Sequence, residues 1–256
     1  MVSTHKCYEK NAFINYDVVF TVGDYQNNEL KKTEEIYRLP QKKIFNVGYF
    51  YTEYIKNKVN LNLVQNNNII FAPSWNRNKK NLFNDFSLEI IKKLISLKFN
   101  VTLRTHPELL KRSNKKLNQI KQEFGNDKFF NLNSNLNNYK YLENSKILIT
   151  DDGGVGLEYA YIFKRPVIFF DYVKKIHNEN YKEININPIE EEFKKECGYI
   201  INVSEISNFS NIINKIEKDP LSKINNYDNF FKNNGLHNHE AVEPSTKALG
   251  VILNDL

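Results

Sequence analysis

Residues Lys146–Asp171 read KILITDDGGVGLEYAYIFKRPVIFFD. A β-branched apolar run ends at Thr150, two aspartates and a glycine-rich turn follow, and a short run with helical spacing leads to a second apolar run at Val167–Phe170. Strand, tight turn, helix, strand is the grammar of a parallel sheet with right-handed crossovers. The turn holds Asp151, Asp152, Gly153, Gly154 and Gly156. Glycines at a helix start leave backbone N–H groups unshielded beside the positive end of the helix dipole, which attracts an anion. One reading is therefore a seat for a phosphate group. A second is a structural turn, with Asp152 capping the helix and Asp151 turned back onto neighbouring loop N–H groups. A metal site at the aspartate pair is a third.

Working outward, the same kind of run recurs as DVVFTVG, KKIFNVG, NNIIFAPS, NVTLRTH, KFFNL and GYIINV. Continuous apolar strands are expected where both faces of a sheet are covered. Between them, FSLEIIKKLISLKF places Phe86, Ile90, Ile91, Leu94 and Leu97 on one helical stripe. LNQIKQEF and LEYAYIF have helical character as well. Residues 68–203 supply six strands, a complete Rossmann-like unit. The expected division is a remnant of a second α/β domain at 1–60, a nucleotide-binding domain at 61–235, and a terminal helix at 236–256. Two strands in the first segment leave a sheet edge and an apolar face open, so association through residues 1–60 is expected.

The 256 residues carry 36 basic and 30 acidic side chains, a net charge of +6, in mixed runs such as KKTEE and EEEFKKE. Mixed runs read as solvated helix faces, not a nucleic-acid surface. The excess favours anionic ligands or an anionic membrane surface. Cys7 and Cys197 have no metal spacing, which points to a reducing compartment. There is no eighteen-residue apolar run and no signal-peptide core at the start. A cytoplasmic location, at the inner face of the membrane, is the expectation.

Ligands of open parallel sheets sit beyond the carboxyl ends of the strands. There the sequence gathers PSWNR, THPELLKR, DDGGVGLE and DYVKKIHNENY. Ser74, Asn76 and Arg77 can donate to an anion, while Trp75 reads as packing. Arg104 and His106, two apart, share a side if their strand extends that far. Arg carries permanent charge for phosphate oxygens, and His donates a hydrogen bond or shuttles a proton. Glu158 in the first turns of its helix can accept from the vicinal hydroxyls of a ribose, or stay a solvated helix carboxylate. His5 reads as structural on composition alone. His177, His237 and His239 show no metal spacing.

The ordered set resembles the nucleotide-binding half of the CDP-glycerol glycerophosphotransferase family. The matching positions are Ala72-Pro73-Ser74-Trp75 with Asn76 before Arg77, His106-Pro107, and Asp151-Asp152-Gly153-Gly154. The resemblance spans residues 15–205. It implies a GT-B fold, a nucleotide-diphosphate-activated donor such as CDP-glycerol or a nucleotide sugar, no metal cofactor, and a surface-polymer or glycolipid acceptor. It implies diphosphate contacts at Gly153, Gly154, Val155 and the Asp152 turn. Arg104, His106 and Arg77 would neutralise the leaving nucleotide, and His5 would belong to the acceptor side. Where that family carries serines, this chain has Gly153 and Gly154, so contact would rest on backbone N–H groups. DDGGVGLEYA is also similar to a stretch of non-hydrolysing UDP-GlcNAc 2-epimerases. An epimerase-like enzyme and a non-catalytic nucleotide-sugar-binding fragment or subunit are therefore the alternatives. The family's acceptor half is not among these residues, and the expectation is that the chain is an incomplete, inactive half of the enzyme.

Overall fold

The computed structural model describes residues 1–61, 67–76, 80–112, 114–134, 140–236 and 242–254. All eight expected strands are present: β1 Val18–Thr21, β2 Lys43–Asn46, β3 Asn68–Phe71, β4 Asn100–Arg104, β5 Phe130–Asn133, β6 Ile147–Thr150, β7 Val167–Asp171 and β8 Tyr199–Asn202. β3 to β8 form one parallel sheet in the order β5-β4-β3-β6-β7-β8. Counted within that sheet, the first and fourth strands lie side by side at its centre. The order of strands reverses there, which makes the ends of β3 and β6 the switch point of the sheet.

The core follows the apolar pattern. Every residue of β6 is buried, as are the first four of β7. Helix Leu82–Ser96 is capped by Asn81, whose side chain accepts from Asn84 N–H at 2.9 Å. Its Ile90, Ile91 and Leu94 lie in the main core, with Phe86 and Leu97 packed at the margin. Helix Val155–Phe163 lies against β7 so closely that a Cβ on Gly156 would come 2.8 Å from the Phe169 ring. Only glycine permits that approach.

The described residues form two compact units. The larger comprises Lys58–Lys175 and Phe193–Tyr227, and the smaller Met1–Asn57, Ile176–Glu192 and Asp228–Leu256. The chain thus crosses between units at 57/58, 175/176, 192/193 and 227/228, where the sequence suggested boundaries at 60 and 235. The terminal helix runs over Val242–Asn254 and falls in the smaller unit.

In the smaller unit, β1 and β2 pair in parallel with Val18 opposite Lys43. Its first residues are fixed by polar contacts. Ser3 donates from N and Oγ to Glu190 Oε2 at 3.1 and 2.7 Å. Thr4 does the same to Glu29 Oε2 at 2.6 and 2.7 Å. The fully buried Lys6 ammonium lies 3.6 Å from Glu190 and 3.3 Å from Glu191. These partners come from segments far apart in sequence, which is why residues 176–192 were not expected beside the N-terminal segment. No helix among the described residues is long and apolar enough to cross a membrane.

Candidate functional site

The site is built where β3 and β6 end. Ala72 N–H donates to Ile149 O at 2.8 Å, and Thr150 Oγ donates to Ala72 O at 2.7 Å. One step on, Ser74 N–H donates to Asp151 Oδ1 at 2.7 Å. Asp151 does turn back onto a neighbouring loop, as its position suggested. Its burial pushes the carboxyl pKa up, while the hydrogen bonds from Ser74 pull it down.

Asp152 is not the helix cap. The cap position is Gly154, with φ −63°, and it supplies no side-chain cap. The Asp152 carboxylate, 5% exposed, turns the other way. Its Oδ2 accepts Lys175 N–H at 2.7 Å, and its Oδ1 meets the Lys194 ammonium. The reason is steric economy. Gly153 is pressed against Ser74, where a Cβ would sit 3.2 Å from Ser74 Cβ. The cap position falls two residues after Asp152. Asp151 therefore ties down the loop after β3 and Asp152 the loop after β7. Among the described residues, the first turn at Val155, Gly156 and Leu157 receives no side-chain cap from its N-cap position. Glu158 is half-buried in that turn, and its own N–H donates to Gly154 O at 3.1 Å.

The neighbouring strand ends add charge and a ring. β4 stops at Arg104, so Arg104 and His106 do not continue one strand face. Arg104 Nε donates to Tyr141 Oη at 2.8 Å. His106 opens the turn before helix Pro107–Arg112, and its Nδ1 accepts Glu108 N–H at 3.2 Å. Its ring stacks on Trp75 at 6.2 Å and 20°. The Arg112 guanidinium lies 5.8 Å from the Trp75 ring centre. Burial first, then the charges of Lys175 and Arg104, lower the His106 pKa from 6.5 to about 4. With Nδ1 accepting, a neutral ring carries its proton on Nε2, so His106 offers a neutral N–H donor at pH 7. Ser74 and Asn76 are buried, and Asn76 Nδ2 donates to Lys174 O at 3.3 Å. Arg77, His237 and His239 lie outside the described residues.

His5 belongs to the smaller unit and is buried there. Its Nδ1 lies 3.3 Å from Glu29 Oε1 and its Nε2 3.0 Å from Ile186 O. Among the described residues, no three His, Cys, Asp or Glu side chains gather as a metal set. Lys175 and Lys194 were not singled out from the sequence. Only the recurrence of lysines after β7 and in EEEFKKE hinted at them.

Residues 10–223 match the family described as CDP-Glycerol:Poly(glycerophosphate) glycerophosphotransferase. The chain belongs to that family. No curated protein sequence matches it. Among solved structures, the wall teichoic acid polymerase TagF is similar at 19% identity and TM-score 0.59, over 94% of this chain and 57% of TagF. MnaA of S. aureus, solved with UDP, is similar at 15% identity and TM-score 0.60, over 94% of this chain and 60% of that one. The UDP-GlcNAc 2-epimerase of Methanocaldococcus jannaschii, solved with UDP-GlcNAc and UDP, reaches 18% identity and TM-score 0.52, over 92% and 61%. At these identities the likeness is one of fold: an α/β chain with a Rossmann-like parallel sheet of GT-B type. This glycerophosphotransferase-family chain spans about three-fifths of the length of each of the three.

Proposed function

We propose that this chain binds the nucleotide diphosphate of an activated donor, CDP-glycerol or a nucleotide sugar. The chain would serve a transferase that builds a teichoic-acid-like or other cell-surface polymer. The observation that carries the reading is the uncapped glycine-turn helix start at the switch point of the sheet. Membership of the glycerophosphotransferase family supports the donor class. UDP bound to a protein of similar fold supports a diphosphate there.

In this reading the diphosphate lies across Gly153, Gly154 and Val155 and accepts their N–H groups. His106 donates its Nε2–H without a full charge, and Arg104 adds one. Ser74 flanks the phosphates, Arg77 supplies a further positive charge as the family resemblance implies, and Glu158 accepts from ribose hydroxyls. The contribution to transfer is electrostatic: fixed donors placed where negative charge grows on the departing nucleotide, with no covalent intermediate and no metal cofactor. The acceptor is a growing polymer or glycolipid, and the net charge of +6 suits a peripheral position on an anionic membrane face. His5 and the rest of residues 1–60 serve the acceptor side and association.

Calorimetry with CDP and UDP at low salt tests this. Either nucleotide should bind, with affinity falling as salt rises. Gly154→Val, which crowds the helix start with a branched side chain, should weaken binding about tenfold, the loss of roughly one charge-assisted hydrogen bond, while the circular dichroism stays unchanged. Failure of both nucleotides to bind the wild-type chain overturns the reading. Binding of UDP to the exclusion of CDP turns it toward a nucleotide-sugar or epimerase-like donor.

A further inference from the structure

Asp152 poses a difficulty for the donor site. A buried carboxylate directly before Gly153 and Gly154 repels a diphosphate at that turn, and a desolvated repulsion is poorly screened. Yet the position needs a hydrogen-bond acceptor. Its Oδ2 is the acceptor for Lys175 N–H at 2.7 Å, the bond that fixes the loop after β7.

Lys194 answers the difficulty. It projects from helix Ile189–Cys197, and its ammonium meets Asp152 Oδ1. Its side chain is 17% exposed and that of Asp152 4%. The ammonium lies 5.6 Å from the centre of the Phe169 ring, the same ring that closes on Gly156. The aromatic face and the carboxylate together hold the cation in one place. Lys194 also lies close enough to Asp151 to draw its pKa down.

We propose that Lys194 is a specificity-determining residue of the donor site. By cancelling the charge of Asp152, it makes the glycine turn receptive to an anionic ligand, a nucleoside diphosphate. Asp152 sets the loop and Lys194 removes the electrostatic penalty of having it there. This rests on the diphosphate reading above.

The test is a double-mutant cycle on CDP and UDP affinity, measured by calorimetry at low salt with wild type, Lys194→Met, Asp152→Asn and the pair combined. Asparagine keeps an oxygen for Lys175 N–H, so the loop bond survives. Lys194→Met should weaken nucleotide binding on the order of tenfold to a hundredfold, because it leaves a buried carboxylate beside the anion. The combined variant should recover affinity to within about threefold of wild type, since the charge to be cancelled is gone. Asp152→Asn alone should bind as tightly as wild type or more tightly, and it keeps the proposal open to refutation should Lys194→Met fail to fold. A merely structural lysine would not be rescued by removing its partner.

The proposal is overturned if Lys194→Met binds like wild type, if the combined variant stays as weak as Lys194→Met, or if Asp152→Asn weakens binding. A wild-type chain that binds neither nucleotide removes the diphosphate reading and this inference with it. A wild-type chain that binds, with Lys194→Met unaffected, removes this inference alone.

Discussion

The two units of this chain cohere by different physics. In the larger, β6 is buried along its whole length, and Ile147, Leu148 and Ile149 are each no more than 1% exposed. In the smaller, β1 and β2 are half-open, with Phe20 42% exposed and only an edge-to-face contact to Phe45 at 6.1 Å. The smaller unit has buried apolar residues such as Ile55, Ile184 and Phe231, and beside them it buries charge. Lys6 is 0% exposed, Glu29 1% and Glu190 3%. Apolar area stabilises the first unit at about 25 cal/mol per Å² removed from water. Such cohesion is distributed and forgiving. Paired buried charges are neither: each ion costs several kcal/mol to desolvate, and the structure holds only while its partners stay in place.

The comparison breaks first on a pair of substitutions. Phe170 is 1% exposed, with its ring stacked on Phe209 at 5.8 Å. Phe170→Ala should cost about 3–5 kcal/mol in urea unfolding, the usual toll of emptying a large aromatic site in a core. Lys6→Met should cost a similar amount, about 3–5 kcal/mol, although it exchanges a polar residue for an apolar one of like size. It removes the cation that faces Glu190 and Glu191. If Lys6→Met proves neutral or stabilising, the buried charges add nothing to the smaller unit, and the contrast fails.

This difference also explains what could be read before the structure. The eight strands were legible because continuous apolar runs have one economical use. The Phe86–Leu97 stripe was legible for the same reason. The polar anchoring of residues 1–7 was not, because Ser3, Thr4 and Lys6 take partners in Glu29 and Glu190 that no local pattern points to. Within the candidate site, the glycine turn and His106 stood out by residue type. Their states did not. Asp152 looked like a cap because it stands just before a helix-like run, but the cap position is Gly154 and the carboxylate turns to Lys175 and Lys194. The neutral character of His106 depends on its burial and on Lys175, sixty-nine residues downstream.

His106 sharpens the comparison inside the larger unit, where burial acts on a single ionisable ring. Its folded-state pKa is about 4 against an ordinary value of 6.5. Between those values the unfolded chain binds more protons than the folded one, so stability is complete above pH 6.5 and falls as the pH drops toward 4. Histidine NMR should show one ring whose titration midpoint lies near 4. In His106→Asn that signal should vanish, and the acid-side loss of stability should become shallower. Saturating CDP or UDP, whichever binds, should move the midpoint upward, because an anion beside the ring favours its protonated form. A midpoint at or above 6.5 without ligand would mean that the ring is solvated and that Trp75 does not cover it.

The smallest effect expected is the most informative about residues 1–60. Phe20 stands in β1, where its neighbours Val18 and Val19 are only partly covered. Ile14, Tyr16 and Phe50 in the same unit are 44%, 58% and 58% exposed. Removing an aromatic ring that is already wet forfeits little transfer energy, so Phe20→Ala should destabilise the isolated chain by less than about 1 kcal/mol. Nucleotide affinity should not change, since Phe20 lies outside the unit that carries the glycine turn. Association should change. If this apolar surface is where a further α/β body or a second copy docks, Phe20→Ala should lower the concentration-dependent mass seen by light scattering while stability and binding stay level. A loss of several kcal/mol in the monomer would show instead that β1 is an integral core strand. The smaller unit would then owe its cohesion to the same apolar burial as the larger.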